Sequence, residues 1–509
     1  MKQFFVIVII GILSAAGYCG EGFDYKWVNQ IGGNITDNGM EVTVDPNGNV
    51  FAIGAFSGTL TVGTEQLESP DIFDSFIIKY DEDGDLLWAM NSSSNYINYG
   101  KGAATDNAGN CYIAGYFYES LTFGGLTLTS SGRKDIYLAK IAPDGDVLWL
   151  KRGGGSLEDA STTIAVNGEG EVFLTGYFEG TANFDTVVLV DSVRRVFVAK
   201  YDTGGNVVWV KKGRACPSSG SGPKIACDEI GNCYLTGDEH DSSGTDIYVA
   251  KYDRDGTVVW SKGIDSAGSN SFDYNHGVAV DSVGNVFLAG NSRGTLNFGS
   301  DTISCNSSDS WQEIFLAKYN ANGKELWARS LCGGSYEFGK AIGVDRQDNV
   351  FVTGYFRNTV NIGGIEISSN GSEDIFLFKY DNDGRLLWAA GDGGGDNDRG
   401  GSILSDGCGN TAIMGGFRDE VNFGGTTLMS TGSFDVFVAK IGNTYVGDFD
   451  GDCCVSVEDM VYFSGAWLSE SGEEGCDGRV DMSGNSADVI DLLDFSCFAE
   501  HWLEGDIED

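Results

Sequence analysis

The chain has 509 residues, with 32 basic and 74 acidic side chains and a net charge of −42. A protein this acidic repels phosphate backbones and anionic lipid headgroups. Nucleic acid and acidic membranes are therefore poor partners, whereas metal cations and basic surfaces are favoured. An equally good reading is that the charge keeps a secreted protein soluble. The 75 glycines and the 12% of aromatic residues indicate a packed core with many tight turns and exclude a disordered chain.

The first residues have the composition of a secretory signal peptide. One lysine precedes an apolar run from Phe4 to Leu13, and small residues follow it. The run is short for a membrane span, and we expect residues 1–19 to be the signal, with cleavage between Ala16 and Gly20. No other segment is suited to cross a bilayer, so the sequence predicts a secreted or cell-surface protein.

A phrase that ends in tryptophan recurs along most of the chain. "DIYLAKIAPDGDVLW", "DIYVAKYDRDGTVVW" and "DIFLFKYDNDGRLLW" are three of its copies. Its tryptophans are Trp27, Trp88, Trp149, Trp209, Trp260, Trp327 and Trp388. The intervals between them are 61, 61, 60, 51, 67 and 61 residues. A period this regular indicates a repeat architecture.

One repeat unit contains four short stretches rich in β-branched and aromatic residues. From Trp327 onward they are "ELWARSL", Asn349–Phe356, Thr359–Ser368 and Asp374–Asp381. The Asp-Gly pair of "YDNDGRLLW" is typical of a hairpin turn. Four antiparallel strands repeated seven times predict an all-β fold, a seven-bladed β-propeller over residues 22–442. A parallel β-helix is the more distant alternative, because it needs shorter coils.

The two ends of the repeat region complement each other. The last unit ends in "DVFVAKIGNTYV" without a tryptophan strand, and Trp27 has no preceding unit. We therefore expect the Trp27 strand to pair with Val436–Lys440 and close the ring, which removes its open edge. The pattern D-x-x-G-N-V-F-x-x-G-Y-F … F-G-G … D-I-F-x-A-K-Y-D-x-D-G-x-x-x-W resembles the bacterial seven-bladed β-propeller repeat family over Phe23–Ile441. The resemblance implies a fold and a secreted or surface life, and it supplies no catalytic residues.

Unit four departs from the pattern because it omits the Phe-Gly-Gly stretch. We expect its blade to lack a strand or most of one. A Cys216–Cys227 disulfide would compensate for the loss. The alternative is that these cysteines are small buried apolar residues, as we expect for Cys233, which occupies a position where other units have valine.

A lysine and an acid recur at fixed places in the units. The lysines are Lys79, Lys140, Lys200, Lys251, Lys318, Lys379 and Lys440. The acids are Asp45, Asp106, Asp228, Asp281, Asp345 and Asp406, with Asn167 in unit three. We interpret them as Lys–Asp pairs that tie strands or blades together, and the alternative is a basic ring lining a channel. A feature present in every blade usually serves what all blades share, which is their packing.

The sequence after Thr444 has two related halves, each with an oxygen-rich loop followed by apolar residues at helical spacing. The first loop fits a calcium site, because alternate residues of a tight loop direct hard oxygens inward. Its ligand positions 1, 3, 5, 7, 9 and 12 are Asp448, Asp450, Asp452, Cys454 through its carbonyl, Ser456 and Asp459. The alternative is a solvated acidic turn.

The paired loops resemble a dockerin, a module of two calcium loops and two helices that binds a cohesin on another protein. The resemblance spans about residues 446–503, within a module assigned to 446–509, and it implies calcium as the cofactor. In the second loop it implies the ligands Asp481, Ser483, Asn485, Asp491 and Asp494. It also implies partner-binding residues Val457, Glu458, Leu492 and Leu493. These four differ from the hydroxyl pairs common in cellulosomal dockerins, so a cohesin-like or other protein partner is expected outside cellulosomes.

No nucleophile elbow, phosphate-binding loop or HExxH motif occurs in the repeats, so no catalytic residue is assigned. The sequence thus favours a secreted, non-catalytic propeller that attaches to a larger assembly through its C-terminal module, with a glycan or protein as the ligand expected at the propeller mouth. The alternative is a secreted hydrolase or lyase that acts on polysaccharide at that mouth. An acidic or aromatic cluster at one mouth would favour the enzyme, and a bare, symmetric mouth would favour the scaffold.

Overall fold

A computed structural model describes residues 23–216, 222–240, 244–267, 271–293, 295–299, 301–304, 313–331, 336–405 and 410–443. Within these ranges the secondary structure is β-strand without helix. They accordingly include no helix long and apolar enough to cross a membrane. Tyr25–Ile441 forms one compact unit.

The strands are short and follow one another closely along the chain. The first are β1 (Phe23–Gly33), β2 (Asn38–Val44), β3 (Val50–Val62), β4 (Glu65–Tyr80), β5 (Leu86–Asn91), β6 (Ser93–Ser94), β7 (Asn98–Thr105), β8 (Cys111–Phe123), β9 (Leu126–Ile141) and β10 (Val147–Gly155). The next are β11 (Ala160–Val166), β12 (Val172–Phe178), β13 (Thr181–Phe184), β14 (Val187–Val190), β15 (Arg195–Tyr201), β16 (Val207–Ala215), β17 (Lys224–Cys227), β18 (Cys233–His240), β19 (Gly244–Tyr252), β20 (Val258–Ala267) and β21 (Ser271–Phe272).

Further along the chain are β22 (Tyr274–Val280), β23 (Val286–Ser292), β24 (Thr295–Asn297), β25 (Thr302–Ser304), β26 (Glu313–Tyr319), β27 (Glu325–Leu331), β28 (Glu337–Val344), β29 (Val350–Phe356), β30 (Thr359–Ile362) and β31 (Ile365–Ser368). The last are β32 (Asp374–Tyr380), β33 (Leu386–Asp392), β34 (Arg399–Ser405), β35 (Thr411–Phe417), β36 (Glu420–Phe423), β37 (Thr426–Met429) and β38 (Asp435–Asn443).

The strands pair into four-stranded antiparallel units, as the repeat predicts. Units one to six, in chain order, are β2-β3-β4-β5, β7-β8-β9-β10, β11-β12-β15-β16, β17-β18-β19-β20, β22-β23-β26-β27 and β28-β29-β32-β33. The closing unit is β34-β35-β38-β1. We call the first strand of each unit its inner strand and the fourth its tryptophan strand. Each inner strand contacts the inner strand of the next unit, and β34 contacts β2, so the units follow one another in a ring.

The ring closes through the two ends of the repeat region. β1, which contains Trp27, is hydrogen-bonded to β38, which contains Val436–Lys440. The predicted pairing of these strands is thereby confirmed. The far end of β1 also pairs with β3 of unit one, with Ile31 opposite Val62. The N-terminal strand therefore completes the closing unit and also joins it to the next one.

The predicted choice of four strands per unit was partly wrong. In unit six, Thr359–Ser368 forms a separate two-stranded accessory hairpin, β30-β31, and the remaining strand of the sheet is β28. The sequence "EFGKAIGV" of β28 lacks a continuous apolar run, which is why its pattern was missed. Its small residues have a packing reason: a Cβ atom at Gly277 of the neighbouring inner strand would lie 2.6 Å from Cγ2 of Ile342. Inner strands crowd together at the axis, so glycine and alanine replace β-branched residues there.

The same correction applies to unit four. Its sheet has all four strands, β17-β18-β19-β20, so the expectation of a missing strand was wrong. The omitted stretch is the accessory hairpin, which in units three and five pairs with the tryptophan strand of the preceding unit, β13 with β10 and β24 with β20. Unit four consequently has no such connection to β16 among the described residues.

The cysteines near unit four do not form the suggested Cys216–Cys227 disulfide. Cys227, Cys233 and Cys111 are free thiols, so Cys227 is not bonded to Cys216. Cys216 and Cys227 pack against the apolar cluster that contains Cys233. Burial raises the pKa of the Cys216 thiol to about 11. The alternative interpretation, small apolar side chains, is the correct one for these residues.

The apolar core lies between neighbouring units. On β3, Val50 and Ala52 pack with Met414 and Val438 of the closing unit. The alternate residues Phe51 and Ile53 pack with Ile113 and Phe117 of unit two. Because both faces of each sheet are covered, the apolar runs are continuous rather than alternating.

The recurring tryptophan and the Asp-Gly turn form a joint between successive units. In six of the seven recurring tryptophans, the indole Nε1 donates to a carbonyl of the next unit's hairpin turn. These bonds are Trp27 to Glu82 (2.9 Å), Trp88 to Pro143 (3.0 Å), Trp149 to Thr203 (3.3 Å), Trp209 to Arg254 (3.0 Å), Trp260 to Ala321 (3.0 Å) and Trp327 to Asn382 (3.1 Å). The turn glycine lies against the indole: a Cβ at Gly323 would be 2.7 Å from Cδ2 of Trp260. The phrase therefore recurs because each copy contacts the next.

The recurring lysines serve packing, as predicted. Four form ion pairs with the recurring acid of their own unit: Lys79–Asp45 (3.5 Å), Lys140–Asp106 (3.3 Å), Lys318–Asp281 (3.3 Å) and Lys379–Asp345 (3.6 Å). In unit three, where Asn167 replaces the acid, Lys200 pairs with Glu171 at 2.9 Å. Lys251 and Lys440 donate to carbonyl oxygens of the next unit, Ala321 and Gly48. Asp406 lies outside the described residues.

Candidate functional site

The inner strands surround a cavity of about 610 Å³ on the axis of the ring. One residue in each of six inner strands has no partner in the strand pairing, because a β-bulge shifts the register there. These bulge residues are Met40, Lys101, Thr162, His276, Lys340 and Gly401. All six bulge residues line the cavity. The bulge is the device that directs an extra residue towards the axis.

The bulge follows from a recurring glycine of the "TGYF" motif in the second strand. A Cβ atom at Gly115 would lie 1.8 Å from the carbonyl oxygen of Tyr99, and one at Gly354 would lie 2.0 Å from that of Phe338. Glycine thus lets the bulged inner strand approach its neighbour. The motif keeps the backbone constant at Lys101 and Lys340 while the bulge residue itself is free to differ.

Three lysines converge on the cavity, from units two, four and six. Lys101 and Lys340 are bulge residues, and Lys224 is the first residue of β17. The pKa of Lys101 is lowered to about 8, by burial and by the charges of Lys224 and Lys134. The pKa of Lys340 is also lowered to about 8, by burial and by the charges of Lys224 and Arg399, while the carboxylate of Glu373 acts in the opposite direction. The charge of Lys224 therefore disfavours the protonated forms of both Lys101 and Lys340.

His276 and Glu41 complete the charged lining. His276 is 8% exposed, and burial together with Lys340 and Lys224 lowers its pKa well below the ordinary value. The imidazole is therefore neutral at physiological pH. Glu41 is the one acid among the described residues that line the cavity. Burial raises its pKa, while Lys224 and a hydrogen bond from Ser402 act in the opposite direction.

Aromatic rings lie beside two of these lysines at the end of the cavity where the inner strands begin. On one side, Lys101 Nζ lies 5.0 Å from the ring centre of Tyr99, and Tyr99 is 5.5 Å from Tyr116. On the other, Lys340 Nζ lies 4.6 Å from the ring centre of Phe338, which stacks on Tyr355 at 5.4 Å. We call this end, with its amines and rings, the channel mouth.

Other cations at the channel mouth are already paired. Lys134 donates to the hydroxyl of Tyr177 at 2.6 Å and forms an ion pair with Glu158 at 3.6 Å. Arg399 and Arg357 share the carboxylate of Glu373. By contrast, the hydrogen bond that Lys101 makes goes to Met40 Sδ at 3.6 Å, a weak acceptor. Lys101 thus differs from the structural cations around it.

The residues predicted as sites lie elsewhere. The calcium ligands and partner-binding residues of 446–509, and the signal peptide, fall outside the described residues. The channel-mouth residues were not predicted. A signal for them exists in the sequence: each bulge residue lies five positions before the recurring acid or its Asn167 counterpart, as Lys101 does before Asp106 and Lys340 before Asp345. Aligned units differ at that position although the glycines around it recur.

Comparisons with known proteins agree with the repeat architecture. No protein-family model matches the chain. An uncharacterized WD repeat-containing protein of Acanthamoeba polyphaga mimivirus is 24% identical over 464 residues, which cover 78% of this chain and 31% of the relative. The chain thus spans about a third of that relative's length. WD repeats build β-propellers. Together with the ring of four-stranded units, this similarity identifies the chain as a β-propeller repeat protein.

Solved structures give weaker likenesses. A Dyadobacter fermentans protein of unknown function has 10% identity and a TM-score of 0.39, over 83% of this chain and 99% of that one. Sqt1 from Chaetomium thermophilum has 10% identity and a TM-score of 0.40, over 83% and 100%. A puromycin hydrolase mutant has 13% identity and a TM-score of 0.41, over 77% and 53%. Values this low carry no functional information.

Proposed function

We propose that the chain is a secreted, non-catalytic binding protein built on a seven-bladed β-propeller. The propeller presents a ligand site at its channel mouth. A calcium-dependent, dockerin-like module at residues 446–509 attaches the protein to a larger extracellular or cell-surface assembly through a cohesin-like or other protein partner. The resemblance to the bacterial propeller repeat family and the signal-like residues 1–19 support export.

The binding part of this proposal rests on one observation: the residue type at the bulge position differs from unit to unit. Positions that serve packing, such as the tryptophan and its turn glycine, are nearly the same in every unit. The bulge positions, which share one backbone geometry, instead carry Met, Lys, Thr, His, Lys and Gly. A ring that served only as a spacer would have no use for such differences. A mouth that is neither bare nor symmetric supports a ligand site.

The attachment part rests on the C-terminal sequence. The carboxylates of Asp448, Asp450, Asp452 and Asp459 have the spacing of a calcium loop. The apolar residues after each loop have helical spacing, as in a module that folds around its metal. A repeat protein with a ligand site and a separate attachment module is suited to act as an adaptor between a ligand and an assembly.

A second candidate is a hydrolase or lyase that acts on polysaccharide at the same mouth. The aromatic cluster is the observation that favours it, since such a cluster distinguishes an enzyme from a bare scaffold. The amine of Lys340, with a pKa of about 8, is also suited to general-base work near neutral pH. Assays of reducing ends and of unsaturated products, on neutral and acidic polysaccharides, test this candidate. Turnover that Lys340→Met abolishes would replace the binding proposal.

Calcium-dependent capture from the secretions of the producing cell tests attachment. Full-length protein is immobilised with calcium or with excess chelator, and the captured proteins are identified by mass spectrometry. We expect a defined partner that is retained with calcium and released by chelator. The variant Asp448→Ala/Asp459→Ala is expected to lose it even with calcium present. Capture that is the same in all three cases would contradict a calcium-dependent module.

A further inference from the structure

Lys224 is the centre of the charged group in the cavity. It interacts electrostatically with Lys101, Lys340, His276 and Glu41, which come from the units on both sides of it. Lys224 enters the cavity because unit four starts its inner strand late, at Lys224 opposite Thr236, and so lacks the bulge of the other units.

The charges in the cavity do not balance. Lys101, Lys224 and Lys340 supply three ammonium groups, whereas Glu41 supplies one carboxylate, which is partly engaged by Ser402. His276 is neutral and adds no compensation. Ammonium groups held together in a half-buried cavity repel one another, and partial burial strengthens the repulsion. A bound anion removes this cost, so the cavity is built to gain free energy from an anionic ligand.

We propose that the channel mouth binds the carboxylate of an acidic saccharide, with Lys101, Lys224 and Lys340 around the carboxylate and the half-buried rings of Tyr116 and Phe338 against the sugar. This inference rests on the proposed function, in which the mouth is a ligand site, and it names the class of ligand. The carboxylate enters the cavity and accepts charge-assisted hydrogen bonds from the amines. The sugar ring remains at the aromatic end.

The aromatic rings distinguish a saccharide from an inorganic anion. Sulfate or phosphate alone would need the amines and no more. Tyr99, Tyr116, Phe338 and Tyr355 place flat apolar faces beside Lys101 and Lys340. A pocket of apolar faces with a few placed polar groups is typical of sites for organic ligands, and the volume of about 610 Å³ lies within their usual range.

Titration calorimetry on the full-length protein tests the inference. The probes are glucuronate, an oligogalacturonide, glucose and sodium sulfate, each at pH 7. We expect glucuronate to bind and glucose not to bind. Binding of the oligogalacturonide at the same site would indicate that a glycan end is a source of the carboxylate; binding of glucuronate alone would indicate a free acidic sugar.

The variant Lys224→Met removes the central amine, and Lys262→Met is the matched control on the exposed face of β20. Lys224→Met should weaken glucuronate binding about tenfold or more, the loss expected for one charge-assisted hydrogen bond. Lys224→Arg should retain most of the affinity, and Lys262→Met all of it. Because Lys224→Met relieves like-charge repulsion, we expect the variant to fold. A melting temperature no lower than that of the unsubstituted protein verifies this.

Three results would overturn the inference. The first is that neither acidic saccharide binds. The second is that glucose binds as tightly as glucuronate, and the third is that Lys224→Met leaves the affinity for glucuronate unchanged. Binding of sulfate without glucuronate would reduce the site to one for inorganic anions and would also overturn it. None of these results affects the calcium-dependent capture, so a failure of the ligand class and a failure of attachment are distinguishable.

Discussion

The joint between tryptophan and turn glycine predicts a substitution whose cost depends on another residue. Gly323 has a φ of +76°, and a Cβ added there would lie 2.7 Å from Cδ2 of Trp260 in the preceding unit. Gly125, in the accessory hairpin of unit two, has a φ of +81° and nothing within 4 Å of an added Cβ. Both glycines adopt the left-handed region, but one alone is in contact. They form a matched pair.

The loss of stability expected for Gly323→Ala has two parts. Alanine in a left-handed conformation costs about 1–2 kcal/mol at either position. At Gly323 the methyl group also overlaps the indole, and overpacking of this kind adds about 1–3 kcal/mol. We therefore expect Gly323→Ala to lower the free energy of unfolding by about 1–3 kcal/mol more than Gly125→Ala. In a Trp260→Ala background the overlap is gone, and Gly323→Ala should cost no more than Gly125→Ala.

Urea unfolding of the full-length protein, followed by far-ultraviolet circular dichroism, measures these differences. The four proteins of the Gly323–Trp260 cycle and Gly125→Ala are compared at constant calcium, so that the C-terminal module contributes equally. Non-additivity within the cycle reports the contact directly. If the two glycine variants were equally destabilised, and the cycle were additive, the tryptophan and the turn would not form the joint between units.

Three further predictions concern closure, pH and calcium. Deletion of residues 22–32 removes the strand that pairs with β38, so the melting temperature of the whole ring should fall, and an unchanged melting curve would contradict closure by β1. Burial raises the pKa of Asp159 to about 7, and the nearby charges of Asp135 and Glu179 act in the same direction. Because the folded state holds this proton more tightly than the unfolded chain, the free energy of unfolding should decrease as the pH rises from about 4 to about 7. Asp159→Asn should make that fall smaller in urea titrations at pH 5 and pH 8, and an identical fall would refute the assignment. Excess chelator should reduce the helicity of the chain, and Asp448→Ala/Asp459→Ala should reduce it with calcium present, whereas equal helicity in circular dichroism would leave the loop an acidic turn.

Sequence periodicity predicted the parts of the fold that depend on local chemistry. The tryptophan strand, the Asp-Gly turn and the closure by β1 were accessible, because each has a distinctive residue or an unmatched end. The inner strands were not. Strand β28, "EFGKAIGV", contains two glycines and an alanine because inner strands crowd at the axis, and small residues give no β-strand pattern. The accessory hairpin β30-β31 was instead counted as part of the sheet, since its residues have ordinary strand propensity.

The channel mouth was harder to predict because it depends on convergence. Lys101, Lys224 and Lys340 lie in different units and share no local motif. Lys224 even differs from the other two in register, since it follows the bulge position instead of occupying it. Their meeting requires both the ring and the bulge, and neither is visible in one unit. The recurring lysines were the more conspicuous signal, yet Lys79 and its counterparts are engaged in ion pairs or in hydrogen bonds to carbonyl oxygens.

The contrast between the whole protein and its channel mouth bears on which anions reach the site. The chain carries a net charge of −42, and its long-range field opposes the approach of any polyanion. At physiological ionic strength that field is screened over about 8 Å, so a ligand at the mouth experiences mainly the nearby amines. A ligand with one carboxylate pays little for the approach and gains the full local attraction. A densely charged polymer meets the acidic surface with every charge, although only its end reaches Lys224. The charge distribution therefore favours a single acidic sugar unit, free or at the end of a glycan chain, over the interior of a polyanionic polymer.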